Sequence, residues 1–364
     1  MKQLVDFEKE LDKCSRCALC QAECPLYKVE QNECLVSKGK FAMLKGVVKK
    51  HLTLNKNINK YLDMCIKCGK CSQFCPSSID ACHIFNVAKY EYAKKLPQSK
   101  LINFLFSKTI FSNLLNIFNI LTKPFRPKRK NLENPQTKVL YFKGCVNKIC
   151  PRTDKYLHKI LKNQSIEIIE KDFDCCGLPF LSEGNLERFE EVAKLNSQYF
   201  NCMQDYIVCD CASCTTTLKS YPKYVENLDF SNYKFLNWGD IIANNNIKFK
   251  FKKNIKVTFH KPCHLENDDF FEKIISNCTN VEYTKMNGYD ECCGLAGSFS
   301  LKNPKLSNKL AKIKANNIIK TNAEYVITTC PACIIGLKKA LFLKNRNIKV
   351  VSLLEFLSKA EIIN

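Results

Sequence analysis

The sequence predicts a multidomain chain of mixed α+β and α/β class. A small helical, cysteine-rich N-terminal unit precedes two copies of an α/β domain with a largely parallel sheet. Three observations predict it. The cysteines fall into four groups. The last two groups recur with nearly the same internal spacing, the mark of an internal repeat. Short β-branched apolar runs alternate with polar, helix-periodic stretches through both copies. The 364 residues leave room for two or three domains, each able to bury a core. A composition of 46% hydrophobic and 25% charged residues is that of a globular protein and excludes disorder over the whole chain.

The first residues, Met1-Lys2-Gln3-Leu4-Val5-Asp6-Phe7-Glu8, carry acids where a signal peptide needs an apolar stretch, and no twin arginine precedes them. With 24 cysteines the chain is therefore expected to be cytosolic, with cysteines at metal spacing rather than in disulfides. Two runs in residues 1–95 carry the strongest signal. They are Cys14-x2-Cys17-x2-Cys20-x3-Cys24-Pro25 and Cys65-x2-Cys68-x2-Cys71-x3-Cys75-Pro76. This spacing binds cubane [4Fe–4S] clusters in two-cluster ferredoxins, each run lending its fourth cysteine to the other cluster. The expected sets are Cys14, Cys17, Cys20 and Cys75 for one cluster, and Cys65, Cys68, Cys71 and Cys24 for the other. Zinc also takes four cysteines, but its sites more often show two separated CxxC pairs. The N-terminal unit is thus expected to be ferredoxin-like.

Residues 96–136 form an expected connector. Apolar positions over 101–121 (Leu101, Leu105, Ile110, Phe111, Leu114, Leu115, Phe118 and Leu121 among them) describe an amphipathic helix with a wide apolar face. The basic run 123–130 follows, with Pro124 ending the helix. Two placements fit: peripheral contact of 101–130 with an anionic membrane surface, or packing between domains or on a partner subunit. The formal charge of +22 treats cysteines as neutral, so thiolate ligands would reduce it. No helix-turn-helix, zinc-finger or RNA-binding signature accompanies that charge, so no nucleic-acid partner is expected. No run of 18 apolar residues exists to span a membrane.

The two copies are expected at 137–250 and 251–364. The first holds Cys145, Cys175-Cys176-Gly177 and Cys211-x2-Cys214; the second holds Cys263, Cys292-Cys293-Gly294 and Cys330-x2-Cys333. Corresponding cysteines lie 117 to 119 residues apart. Lys138-Val139-Leu140-Tyr141-Phe142 and Ile255-Lys256-Val257-Thr258-Phe259 precede the first cysteine of each set and read as buried strands. Tyr206-Ile207-Val208 and Tyr325-Val326-Ile327 do so before each CxxC. Helices are predicted over 187–200 and Pro304–Ile319. Cysteines just past strand C-termini stand at the edge where open α/β sheets bind ligands.

Adjacent cysteines do not easily ligate one ordinary metal ion, but they can serve a larger cluster. His260 and His264 flank Cys263. They either donate hydrogen bonds to a cluster or pack at the strand end. Cys34, Cys82, Cys150, Cys202, Cys209 and Cys278 are expected to be small buried hydrophobes. No GxGxxG follows a strand and no P-loop is present, so hydride chemistry belongs to another protein.

These residues resemble the iron–sulfur subunit of glycolate oxidase. That family belongs to a wider CCG-domain group with the iron–sulfur subunits of anaerobic glycerol-3-phosphate dehydrogenase, lactate-utilisation proteins and heterodisulfide reductase. The resemblance rests on Cys24-Pro25-Leu26-Tyr27, Ser37-Lys38-Gly39-Lys40, Leu62-Asp63-Met64-Cys65, Gly144-Cys145-Val146 and Cys292-Cys293-Gly294-Leu295-Ala296-Gly297-Ser298-Phe299. It implies an oxidoreductase subunit on the inner face of the cytoplasmic membrane. FAD on a separate dehydrogenase subunit would oxidise glycolate or lactate, and this chain would pass the electrons towards membrane quinone. Both CCG domains here keep all five cysteines. That complete set is similar to the heterodisulfide reductase pattern, which holds a non-cubane [4Fe–4S] cluster. It implies one or two further clusters, and thiol–disulfide chemistry as one alternative function; the iron–sulfur subunit of an anaerobic glycerol-3-phosphate dehydrogenase is the other that the resemblance implies.

Overall fold

The computed structural model describes residues 2–95, 135–149, 152–200 and 204–363. The amphipathic stretch 101–121, the basic run 123–130, Cys150 and Cys202 lie outside the described residues.

The N-terminal unit is built from short helices, and no strand occurs among its described residues. Its two longest, Ser37–Val48 and Ala81–Lys94, pack through Phe41, Leu44, Ile84 and Phe85. Asp80 caps the second helix, its carboxylate accepting from the His83 backbone N–H at 3.2 Å. The first helix lies against the turn Glu33–Leu35, and Gly39 permits the close approach. A Cβ there would stand 2.2 Å from the Glu33 carbonyl oxygen.

Each half of the remaining chain forms its own sheet. The first contains β1 (Thr137–Phe142), β2 (Ile166–Glu170), β3 (Tyr206–Cys209) and β4 (Phe235–Asn237), all parallel, in the order β2-β1-β3-β4. The second contains β5 (Lys248–Phe259), β6 (Cys278–Tyr283), β7 (Tyr325–Thr328) and β8 (Lys349–Ser352) in the matching order β6-β5-β7-β8. A short strand, β9 (Glu361–Ile363), adds antiparallel to β5. The expected repeat is therefore a repeat of topology. β5 starts seven residues before the apolar run that predicts it, with a register shift between Lys250 and Ile255. Helices occupy Leu186–Ser197 and Pro304–Ile319, as the periodicity predicts.

In this order the chain leaves the first strand of each sheet to one side, then returns to its other side. The switch lies between β1 and β3, and between β5 and β7. Crevices at the C-terminal ends of such strand pairs are where this architecture binds ligands. Alternation divides each strand between two cores. Val139, Tyr141 and Val208 share a cluster with Val257, Phe259 and Ile327, so one apolar core joins the two sheets. Leu140, Phe142 and Ile207 face the other way and join the core of the N-terminal helices.

The close packing at Gly39 is testable. Gly39→Ala is expected to destabilise the chain by about 1–3 kcal/mol, as overpacking does. The exposed-face control Lys49→Ala should change stability by less than about 0.5 kcal/mol. Denaturant unfolding under anaerobic conditions measures both; equal midpoints would refute the packing constraint.

Candidate metal centres

The two N-terminal cysteine runs adopt the same turn. The middle cysteine of each is flanked by left-handed residues: Arg16 (φ 57°) and Ala18 (φ 64°) around Cys17, Lys67 (φ 55°) and Gly69 (φ 77°) around Cys68. This alternation curls three thiols to one side within seven residues. Glycine adopts such angles freely, whereas Arg16, Ala18 and Lys67 are held there against their ordinary preference. Each turn leads into a one-turn helix, Leu19–Ala22 or Lys70–Gln73, which brings up the fourth cysteine. Pro25 starts the helix Pro25–Glu30 immediately after Cys24 and redirects the chain.

Cys14, Cys17, Cys20 and Cys75 line one cavity, with Cys71, Ser37 and Phe41 completing its wall. Cys17 is the exposed member. Behind it, Cys24 lies where the charges of Cys65 and Lys40 reach it, and burial pushes its thiol up. Cys68 is raised further, first by burial and then by Cys263 of the second repeat. Lys40 is 1% exposed between these sites, donating to the carbonyls of Leu35 at 2.6 Å and Met64 at 3.1 Å. Lys67, half-buried, donates to the Asn86 amide oxygen, and desolvation lowers its ammonium to about 8. One buried and one half-buried cation beside eight thiols suit an anionic metal–thiolate centre. Sequence reasoning did not single out either lysine. It also took Cys82 for a packing residue; the structure sets its thiol against Cys71, which that contact holds down at about 6.

The CCG cysteines converge on the two switch points. Cys145 follows β1 and Cys211 follows β3; Cys263 follows β5 and Cys330 follows β7. The paired cysteines arrive from beyond β2 and β6. In the first set Cys145 meets Cys175 with 3.8 Å between sulfurs, Cys175 meets Cys176, Cys176 meets Cys214, and Cys214 meets Cys211. In the second set Cys263 meets Cys292, Cys292 meets Cys293, Cys293 meets Cys333, and Cys333 meets Cys330. The two rows join where the Cys211 and Cys330 sulfurs stand 3.8 Å apart. The Ala212 N–H donates to the Thr329 carbonyl across the same junction, at 3.3 Å. Ten thiols thus form one row, symmetric about its centre, and its far end reaches Cys68.

The donor set, five buried or half-buried thiols in contact within each repeat, fits a polynuclear centre. Cys176 is held down at about 5 by Cys175 and then Cys214; Cys263 is held down at about 7 by Cys292. Their neighbours rise in turn: Cys214 against Cys176, Cys292 against Cys263, Cys333 against Cys293. Buried thiols in contact cannot all ionise without cationic centres between them. Residues that would hold such centres are the five cysteines of each set. Gly336 shows how tightly the second is enclosed, since a Cβ there would stand 2.9 Å from the Cys293 sulfur.

The two flanking histidines part company. His264 Nδ1 pairs with the Ser213 hydroxyl at 2.8 Å and Nε2 with the Lys67 carbonyl at 2.8 Å. Nε2 must carry a proton to pair with a carbonyl, while Nδ1 shares a hydrogen with the Ser213 hydroxyl. Both nitrogens have protein partners, which favours the packing alternative for His264: it ties the first repeat, the second repeat and the N-terminal unit together. His260 is wholly buried, and its ring, with Cys293 and Cys333, makes a compact group of potential ligands within 4.8 Å of one another. Of the other cysteines predicted to be small hydrophobes, Cys209 is buried in the core, and the half-buried Cys278 donates to the Ile274 carbonyl at 3.2 Å.

Comparison with known proteins agrees with this geometry. Residues 10–79 match the 4Fe-4S dicluster domain, and residues 139–219 and 257–338 each match the cysteine-rich CCG domain. The dicluster match carries [4Fe–4S] clusters, and the cysteine-rich domains point to further iron–sulfur centres. The chain is 29% identical to a subunit of the CoM/CoB fumarate reductase of Methanothermobacter marburgensis, over 97% of this chain and 73% of that one. It is 21% identical to a probable glycolate oxidase iron–sulfur subunit of Bacillus subtilis, over 91% and 89%. A crystal structure of a hypothetical Helicobacter pylori protein shares the fold, with a TM-score of 0.54 at 13% identity over 98% of this chain and 76% of that one. No helix among the described residues is long and apolar enough to cross a membrane. The chain belongs to the CCG-domain iron–sulfur family, whose dicluster domain and paired cysteine-rich domains make it an iron–sulfur subunit of an oxidoreductase.

Proposed function

We propose that the chain relays electrons from an FAD-containing dehydrogenase subunit, which oxidises a 2-hydroxy acid such as glycolate or lactate, towards membrane quinone. The carrying observation is the unbroken approach of cysteine sets: the cavity of Cys14, Cys17, Cys20 and Cys75, then Cys24, Cys65, Cys68 and Cys71, then the row from Cys263 to Cys145. When bound, iron–sulfur clusters supply one-electron exchange. The chain's own residues hold the centres close together, bury the inner ones and leave Cys17 at the surface. Leu19 and Phe74 stand exposed next to that first set and offer an apolar rim to a partner. The resemblance to glycolate oxidase supports the donor and the acceptor.

The complete five-cysteine sets favour a second reading, thiol–disulfide chemistry at a CCG site. It predicts disulfide reduction by the isolated chain once electrons are supplied, lost in Cys292→Ser or Cys293→Ser while the N-terminal clusters stay reducible.

Two measurements test these readings. Anaerobic purification of the chain from its native membranes should bring flavin with it, and glycolate or lactate should bleach the cluster absorbance. Intact clusters without flavin or bleaching would overturn the dehydrogenase reading. The exchange of fourth ligands is tested by iron counting. Cys75→Ser with Cys17→Ser should lose no more iron than Cys75→Ser alone, about four atoms, because both serve one cubane. Cys75→Ser with Cys68→Ser should lose about twice that. Additive loss in the first pair would refute the assignment.

A further inference from the structure

The two CCG cysteine sets stand on one scaffold but have different linings. Val139 pairs with Tyr206 in the first sheet as Val257 pairs with Tyr325 in the second. In that register Leu140 and Phe142 of β1 correspond to Thr258 of β5 and His260 just beyond it. Cys209 of β3 corresponds to Thr328 of β7. Side chains two apart on a strand share a face, and so do cross-strand partners. In the first sheet this face is Leu140, Phe142, Ile207 and Cys209, all in the apolar cluster that contains Cys175, Cys176 and Cys214. In the second, Val326 lies in the cluster with Cys293, Cys330 and Cys333, and its companions are polar.

Those companions are unsatisfied. Thr258, His260 and Thr328 are each 0% exposed. Both hydroxyls and both ring nitrogens of His260 find no nitrogen or oxygen partner in the protein. Buried polar groups almost always find partners, so orphans gathered on one face point to an acceptor there. The His260 ring sits against the Cys293 and Cys333 sulfurs. Lys314, 1% exposed, adds a cation whose charge acts on Cys292 and Cys293.

We propose that His260, with Thr258 and Thr328 beside it, donates hydrogen bonds to the sulfurs of the centre held by the second set, making that centre easier to reduce than the one held by the first. The inference rests on the reading that both sets hold clusters. A donor dipole stabilises the charge an added electron brings, and hydrogen bonds to sulfur are one of the levers on cluster potential. Leu140 and Phe142 give the first set no such donor. An electron shared across the Cys211–Cys330 junction therefore resides on the second set: the first centre is oxidised as the second is reduced, with no proton or further reactant in the exchange.

The test is an anaerobic redox titration of the full chain, followed by electron paramagnetic resonance with iron counted in every sample. His260→Phe installs the first set's residue. It should lower one CCG midpoint by at least the equivalent of a tenfold change in reduction, about 59 mV for one electron, and leave the cubane midpoints in place. His260→Gln, which restores an N–H, should recover part of the shift. Thr328→Val, near in shape, should move the same midpoint the same way and carries the test if the Phe variant fails to hold iron. Full iron with unmoved CCG midpoints in both variants, or a shift confined to the cubanes, overturns the inference alone. Wild-type protein with only about eight iron atoms, enough for two cubanes, overturns the cluster reading and this inference with it.

Discussion

The structure depends on the crowding of sulfur at the junction of its two halves. Ten thiols meet in a row whose centre is the Cys211–Cys330 contact, and neighbours along it cannot ionise together in a buried site. Cationic iron between them would remove that conflict, and its binding would then favour closure of the two halves. The scaffold makes the crowding achievable. Two sheets of the same order share one apolar core, and this sets their switch points edge to edge. Neither half alone would bring its CxxC against the other's.

The N-terminal unit lies across both halves. Lys28 and Lys70 pair with Glu291 and Asp290, Lys302 with Asp63 and Glu183, and Lys223 with Asp80. Most of these groups are partly exposed, and such pairs contribute about 0–1 kcal/mol each. They select an orientation more than they hold it. The attachment comes from apolar contact: Leu26, Leu35 and Ile66 pack with Cys292, Phe299 and Leu310, while Phe41, Leu44 and Phe85 share a core with Phe142, Phe173 and Phe189. His264 adds directional bonds at the meeting point. Cys68 thereby lies where the charge of Cys263 reaches it, which brings the N-terminal centres near the end of the thiol row.

Much of this was legible because cysteine spacing and strand periodicity are local properties. The turns around Cys17 and Cys68, the strands before Cys145 and Cys211, and the helix Pro304–Ile319 each follow from a few consecutive residues. The relation between the halves does not. Nothing near Cys211 or Cys330 tells that they touch, since their contact depends on a core assembled from Val139, Trp238, Phe259 and Phe271. The sequence left His264 open between two readings for the same reason: beside Cys263 in sequence, it has its partners at Ser213 and Lys67, far away along the chain. The buried place of Lys40 was not legible either, because a buried lysine is recognised only by the carbonyl oxygens that receive it.

A duplicated domain begins with two identical sites, so any division of labour between them must come from residues that are not ligands. Here the cysteine sets have stayed equivalent, five thiols each at matching positions. Divergence is confined to what surrounds them. Phe142 corresponds to His260, Cys209 to Thr328 and Leu140 to Thr258 across the repeat, and each change adds a polar group to the second site without altering strand order or register. Such changes leave the junction intact, because Val257, Phe259 and Ile327, on the opposite faces of the same strands, keep the shared core. The alternation of a β-strand is what separates the two demands. One face holds the halves together and stays apolar, while the other meets the thiols and is free to differ.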